Sequence, residues 1–141
     1  MLALDPGRSL GGPDHQGERW RDSESVAFAD ARASGRHVLV VFGADWCLPC
    51  RKIEQIMNDD SVFSLLSEMF VPLHFDITEL SEHDGALRAK YRALTLPAVI
   101  FVDAAGQELG RYDRKDPSAE SFIAEMSSIV ASHPPTSGLS R

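Results

Sequence analysis

Cysteine is nearly absent: the 141 residues hold two, and only Leu48 and Pro49 separate Cys47 from Cys50. That excludes a disulfide framework as the source of the fold. A chain of this length suits one domain and buries roughly 70% of its unfolded surface, so it needs no such framework. Basic charge is also scarce, with 14 Lys and Arg against 21 Asp and Glu, a net charge of -7. No basic face would meet a phosphate backbone, and nucleic acid is not an expected partner. No apolar run approaches the roughly 20 residues of a spanning helix, so no membrane span is expected. The first residues, Met1-Leu-Ala-Leu-Asp-Pro-Gly-Arg8, lack the charged and then apolar pattern of a secretory signal. As written the chain reads as cytoplasmic; a removed leader would make it periplasmic.

What is present is ordinary in amount, 43% hydrophobic and 25% charged, and informative in order. Residues 1–19, rich in Gly, Pro, Asp and Arg without periodicity, read as a flexible leader, and 133–141 as a flexible tail. Between them, 20–132 reads as one domain. Asp22 or Ser23 caps a helix bearing Val26, Ala27, Ala29 and Ala33, ended by a left-handed Gly35. His37 to Phe42 is a near-continuous apolar run, the pattern of a strand buried on both faces. Helices are expected from Cys47 to Asn58 and from Asp60 or Ser61 to Phe70, then a strand from Val71 to Ile77. A helix over Asp84–Arg92 precedes a strand over Ala98–Val102, a turn at Asp103–Gly106 and a strand over Gln107–Tyr112. Asp116-Pro117 is expected to cap the last helix, which carries Phe122, Ile123, Met126, Ile129 and Val130. A short strand near Trp20 completes an α/β order with a central mixed β-sheet flanked by helices.

The chemistry concentrates where the first strand ends and a helix begins, at Trp46-Cys47-Leu48-Pro49-Cys50-Arg51. The first N–H groups of a helix lack intrahelical partners, and the helix dipole places partial positive charge there. Both favour a thiolate, so Cys47 is the expected nucleophile. Cys50, one turn on, can close a disulfide with it and resolve a mixed disulfide. Pro49 costs little at the start of a helix.

Together with Leu96-Pro97 downstream, this segment resembles the active site of the thioredoxin superfamily. Ala44-Asp45-Trp46-Cys47, Glu54 and Asp103-Ala-Ala-Gly106 are similar in particular to the C-terminal thioredoxin-like domains of the DsbD family of membrane-bound bacterial reductants. The resemblance covers about Trp20 to Ser132. It implies a thioredoxin-like fold and reduction of protein disulfides in cell redox homeostasis. Cys47 would attack, Cys50 resolve, and Trp46, Leu96 and a cis Pro97 form the substrate-binding surface. It implies protein thiol and disulfide substrates, an upstream electron donor, a monomer, and no cofactor beyond the redox-active disulfide. Glu54 matches a carboxylate near the cysteines that could relay protons. One departure stands out: the buried Asp that thioredoxins carry six residues before the first cysteine is Val41 here.

Plainer readings exist for each residue. The cysteines alone could be a passive local disulfide or half a zinc site. Zinc needs about four N/S ligands, yet there is no second cysteine pair, and His15, His37, His74, His83 and His133 have no ligand spacing. No metal is therefore expected. Pro97 could be an ordinary strand-leading proline, Trp46 plain core, and Glu54 a solvated helix residue. His74 reads as strand packing or edge rather than a ligand. A disulfide isomerase or oxidase, or a non-enzymatic binding or copper-carrying module, would be alternative functions. The first two would use the same pair, but Leu48-Pro49 lacks the histidine many oxidising members place there; the last needs further ligands near Cys47.

Overall fold

The computed structural model describes residues 19–135. Among them the elements run α1 (Glu24–Ser34), β1 (His37–Gly43), α2 (Leu48–Asn58), α3 (Asp60–Met69), β2 (Phe70–Asp76), α4 (Glu82–Tyr91), β3 (Ala98–Val102), β4 (Glu108–Arg111) and α5 (Ala119–Ser132). β1 is buried at every position, which explains why its apolar residues do not alternate with polar ones. It pairs parallel with β2 on one side and antiparallel with β3 on the other, and β4 closes the order β2-β1-β3-β4. The short strand expected near Trp20 is a single parallel bridge, Arg21 to Leu73, at the outer side of β2.

Helices cover both faces of the sheet, so there are two cores. Ala27 and Ala31 of α1 pack on Val38, Val40, Phe42 and Leu73. On the opposite face Ile53 and Met57 of α2, Leu66 of α3, and Phe122 and Met126 of α5 pack on Leu39, Val41, Phe70 and Phe101. Each such large side chain removed from water contributes roughly 1.5–3 kcal/mol. Val26, Ala29 and Ala33 lie on the exposed side of α1 instead, because small alanines at 27 and 31 let that helix approach the sheet closely.

Several element starts differ from the sequence reading, and each difference traces to a cap. Ser23 caps α1, accepting the Val26 N–H at 3.3 Å, and Gly35 ends it at φ 76°. α2 begins at Leu48 because Cys47 is itself the cap. α4 starts before Asp84, since Ser81 and Asp84 form a reciprocal capping box in which Asp84 is the third helical residue. The last helix is capped by Ser118, not by Asp116-Pro117. Ser118 Oγ accepts the Ser121 N–H at 3.1 Å, while the exposed Asp116 reaches Lys52 at 3.7 Å.

Of the expected leader and tail, residues 1–18 and 136–141 lie outside the described residues. Arg19 sets its guanidinium 4.0 Å from the centre of the Phe63 ring. The His133 N–H donates to the Ile129 carbonyl at 2.8 Å as α5 ends.

Candidate functional site

At Gly43 the chain leaves the sheet and turns through Ala44, Asp45 and Trp46 into α2. The turn is fastened to the segment after β2: Ile77 N–H donates to the Gly43 carbonyl at 2.9 Å, and Asp45 N–H to Thr78 Oγ1 at 2.9 Å. Asp76 in turn accepts both the N–H and the hydroxyl of Thr78. Trp46 is 54% exposed, with its indole N–H donating to the Thr78 carbonyl at 3.1 Å. One threonine thus fixes both the turn and the orientation of the tryptophan beside the cysteines.

Cys47 and Cys50 form a disulfide with a Cα separation of 5.3 Å. The Cys47 sulfur also accepts the Cys50 N–H at 3.2 Å. An amide aimed at this sulfur, at the positive end of the α2 dipole, stabilises negative charge there once the bond is reduced. Exposure separates the two: 6% for Cys47 against 1% for Cys50. The outer sulfur is therefore that of Cys47.

The Leu96–Pro97 bond is cis, and Leu96 packs against Ala44, Cys47 and Cys50. Two arginines hold the loop that carries this dipeptide. Arg88 donates to the carbonyls of Ala93 and Leu94 at 3.0 and 2.9 Å, and Arg111 to those of Tyr91 and Arg92 at 2.6 and 3.0 Å. Arg111 is itself paired with Glu108 at 2.7 Å. A groove of about 340 Å³ runs beside the dipeptide, between Pro49 and Lys52 on one side and Arg114 and Lys115 on the other. Leu48 and Leu94 are exposed nearby in sequence to Cys47 and Leu96.

Behind Cys50 the position of the usual buried carboxylate is filled by the apolar Val41, with no exposure. Its neighbour across the parallel ladder is His74, and register partners project to the same face of a sheet. From α2, Glu54 reaches across to place Oε2 3.2 Å from His74 Nε2. A Cβ on Gly43 would lie 2.7 Å from Glu54 Oε2, 3.3 Å from His74 Nε2 and 3.8 Å from Cys50 Cβ. The absence of a side chain at 43 is what lets the three converge. Glu54 is therefore a half-buried member of a pair rather than a freely solvated helix residue. His74 packs in the strand as expected, but its ring has a carboxylate partner that its sequence position did not show. Only the β1–β2 register and the i, i+4 spacing of Cys50 and Glu54, taken together, could have exposed it.

Among the described residues no group of three or more His, Cys, Asp or Glu could hold a metal ion, and no helix is long and apolar enough to cross a membrane. The arrangement instead suits exchange between a dithiol and a disulfide.

Comparison with known proteins gives the same picture. The family model described as "Thioredoxin-like" matches residues 19–104. Curated relatives include the thiol:disulfide interchange protein DsbD of Ralstonia nicotianae, 32% identical over 120 residues, which cover 81% of this chain and 20% of that protein. DsbD 1 of Pseudomonas aeruginosa is 34% identical over 109 residues, 73% of this chain and 18% of the relative. The chain thus spans about a fifth of the length of these curated relatives. Among solved structures, a thioredoxin from Thermus thermophilus superposes with a TM-score of 0.69 at 28% identity, over 82% of this chain and 89% of that one. The oxidised C-terminal domain of DsbD from Neisseria meningitidis gives 0.66 at 20% identity, over 77% and 97%, a likeness of fold. With the family model matching more than half of the chain, and the cysteine pair following the end of β1 beside the Leu96–Pro97 segment that precedes β3, the chain belongs to the thioredoxin-like family.

Proposed function

We propose that this chain is a thiol–disulfide oxidoreductase that works as a reductant of protein disulfides. The observation that carries the reading is the cysteine pair at the start of α2, with the Cys50 amide aimed at the outer sulfur and the Leu96–Pro97 dipeptide packed beside it. In the reduced form the Cys47 thiolate attacks a substrate disulfide, one substrate sulfur leaves as thiolate and takes a proton, and a mixed disulfide remains. Cys50 then loses its proton and attacks the Cys47 sulfur. The Cys47–Cys50 disulfide forms, the second substrate thiol is released, and two electrons have passed to the substrate. A dithiol donor must restore the reduced pair.

Trp46, Leu96 and Pro97 make the surface that an extended substrate segment meets, and the backbone of Leu96 pairs with it. Glu54 serves the buried Cys50 as proton acceptor in place of the carboxylate missing at Val41. The direction of electron flow follows from charge. Leu48 and Pro49 add no positive charge between the cysteines, Asp45 adds negative charge, and Arg51 donates to the Asp45 carbonyl at 3.0 Å. The thiolate then relies mainly on the helix start, the condition of a thioredoxin-type pair rather than a strong oxidant. A potential of roughly −200 to −270 mV is expected on equilibration with glutathione. The reduced chain should reduce insulin with dithiothreitol as donor, Cys47→Ser should abolish this, and Cys50→Ser should accumulate mixed disulfides. A potential near about −120 mV would place the chain among the oxidases instead.

A further inference from the structure

We propose that His74 is a positioning residue for the resolving half of the reaction: it holds the Glu54 carboxylate beside Cys50, where that carboxylate takes the proton that Cys50 releases. The inference deepens the reading above and rests on it.

Three observations carry it. His74 and Glu54 meet at 3.2 Å, with side chains 16% and 26% exposed, so the contact is largely shielded from water and worth more than a solvated pair. Both atoms lie with Cys50 Cβ around the place a Gly43 side chain would take, which puts the pair beside the buried cysteine. Finally, His74 is the ladder neighbour of Val41. The titratable group absent from β1 is thus supplied one strand over, on the same face of the sheet.

Chemically the pair solves a problem that Glu54 alone does not. A lone carboxylate next to two cysteines opposes thiolate formation by like-charge repulsion. With Nε2–H donated to Oε2, His74 spreads the carboxylate charge and fixes which way the group points. When Cys50 attacks, its S–H proton passes to the Glu54 carboxylate, and the electron pair left on sulfur forms the bond to Cys47. The bond from Cys47 to the substrate sulfur breaks with its electrons leaving on the substrate. The acquired proton is then lost to water at the exposed edge of the pair.

Other charged groups near the histidine are occupied elsewhere. From the N-terminal segment the Trp20 ring packs edge-on against His74 at 6.0 Å, while Arg21 pairs with Asp30 at 2.9 Å. Arg19 lies over Phe63 and reaches Asp60 of α3 at 3.6 Å. β1 offers Val41 as the ladder partner, with Gly43 close to the ring. From α2 the facing groups are Glu54 and Cys50.

The test separates the two steps. The reduced full chain is mixed with oxidised glutathione near neutral pH, and quenched samples are analysed for mixed disulfide. His74→Leu, which cannot donate a hydrogen bond to Glu54, should form the mixed disulfide at Cys47 within about twofold of the wild-type rate. It should resolve it roughly tenfold more slowly near neutral pH, somewhat below what a direct general base contributes, and His74→Gln, which still donates to Glu54, should restore most of that rate. Equal resolution rates for the wild type and His74→Leu would overturn the inference while leaving the proposed function standing. A wild-type chain that oxidised glutathione neither thiolates nor converts to the Cys47–Cys50 disulfide would remove both. A measurement without a variant guards against misfolding: the His74 ring signals, read by NMR at one pH in the oxidised and reduced wild-type chain, should differ. Identical signals would also overturn the proposal.

Discussion

At the scale of single residues, the site depends on a residue without a side chain. Gly43 ends β1 where Glu54, His74 and Cys50 close in, and an added Cβ would fall 2.7 Å from Glu54 Oε2. That atom ends a flexible side chain, so it can move away at modest cost. Gly43→Ala should therefore lower stability by only about 1 kcal/mol, at the mild end of overpacking, while displacing the carboxylate from His74. The expected result is a nearly unchanged melting temperature with slower resolution of the mixed disulfide. If thermal unfolding shifts greatly and resolution does not, the glycine serves packing alone. The cysteine pair was legible in the sequence because its chemistry depends on near neighbours, the helix start and the two residues between them, whereas Trp46 and Leu96-Pro97 stood out only through the family resemblance. Thr78, which fixes Trp46, was not legible, because it lies 32 residues away along the chain.

At the scale of elements, β4 is more than an edge strand. Its Arg111 and Glu108 tie it to the end of α4, with Glu108 also 2.9 Å from Arg92, and so brace the loop leading to Leu96-Pro97. Hydrogen bonding from Arg111, helped by Arg92 and opposed by burial, holds the Glu108 carboxyl below its ordinary value of 4.5. A carboxyl lowered on folding adds stability that is present above its unfolded value and lost as pH falls through the folded value. Glu108→Gln should therefore destabilise the chain at neutral pH by about 0.5–1 kcal/mol, discounted for solvent screening. The gap between variant and wild type should shrink as the pH drops below the ordinary 4.5. Melting curves across that range check it; a gap that stays constant into acid would show that the charge of Glu108 contributes nothing. The element boundaries moved where caps were reciprocal. Asp116-Pro117 looked like a helix start, but Ser118 has a partner at Ser121 and Asp116 has none within the helix, so the hydrogen bonds chose the serine.

At the scale of the whole molecule, the described domain runs from Arg19, over Phe63, to the residues just past α5. The buried His37 ring meets the His133 carbonyl at 2.5 Å, which joins the end of α5 to the start of β1. We propose that residues 1–18 and 136–141 are dispensable. A chain trimmed to 19–135 should keep its thiol–disulfide exchange activity and its melting temperature to within a degree or two, given that ~1 kcal/mol moves a domain of this size by about 2–8 °C. Trimming through His133 should lower the melting temperature, because His37 would lose its carbonyl partner. Equal melting temperatures for the two truncations would show that this contact is idle. The sequence by itself determined the α/β order, the strands that lie in the sheet and the position of the reacting pair, because hydrophobic periodicity and helix-start chemistry act over a few neighbouring residues. The tertiary structure alone decided that His74 meets Glu54, that Arg88 and Arg111 hold the proline loop, and that Thr78 steers Trp46. Those contacts depend on strand register and on which helix covers which face, and neither is encoded within any short window of the chain.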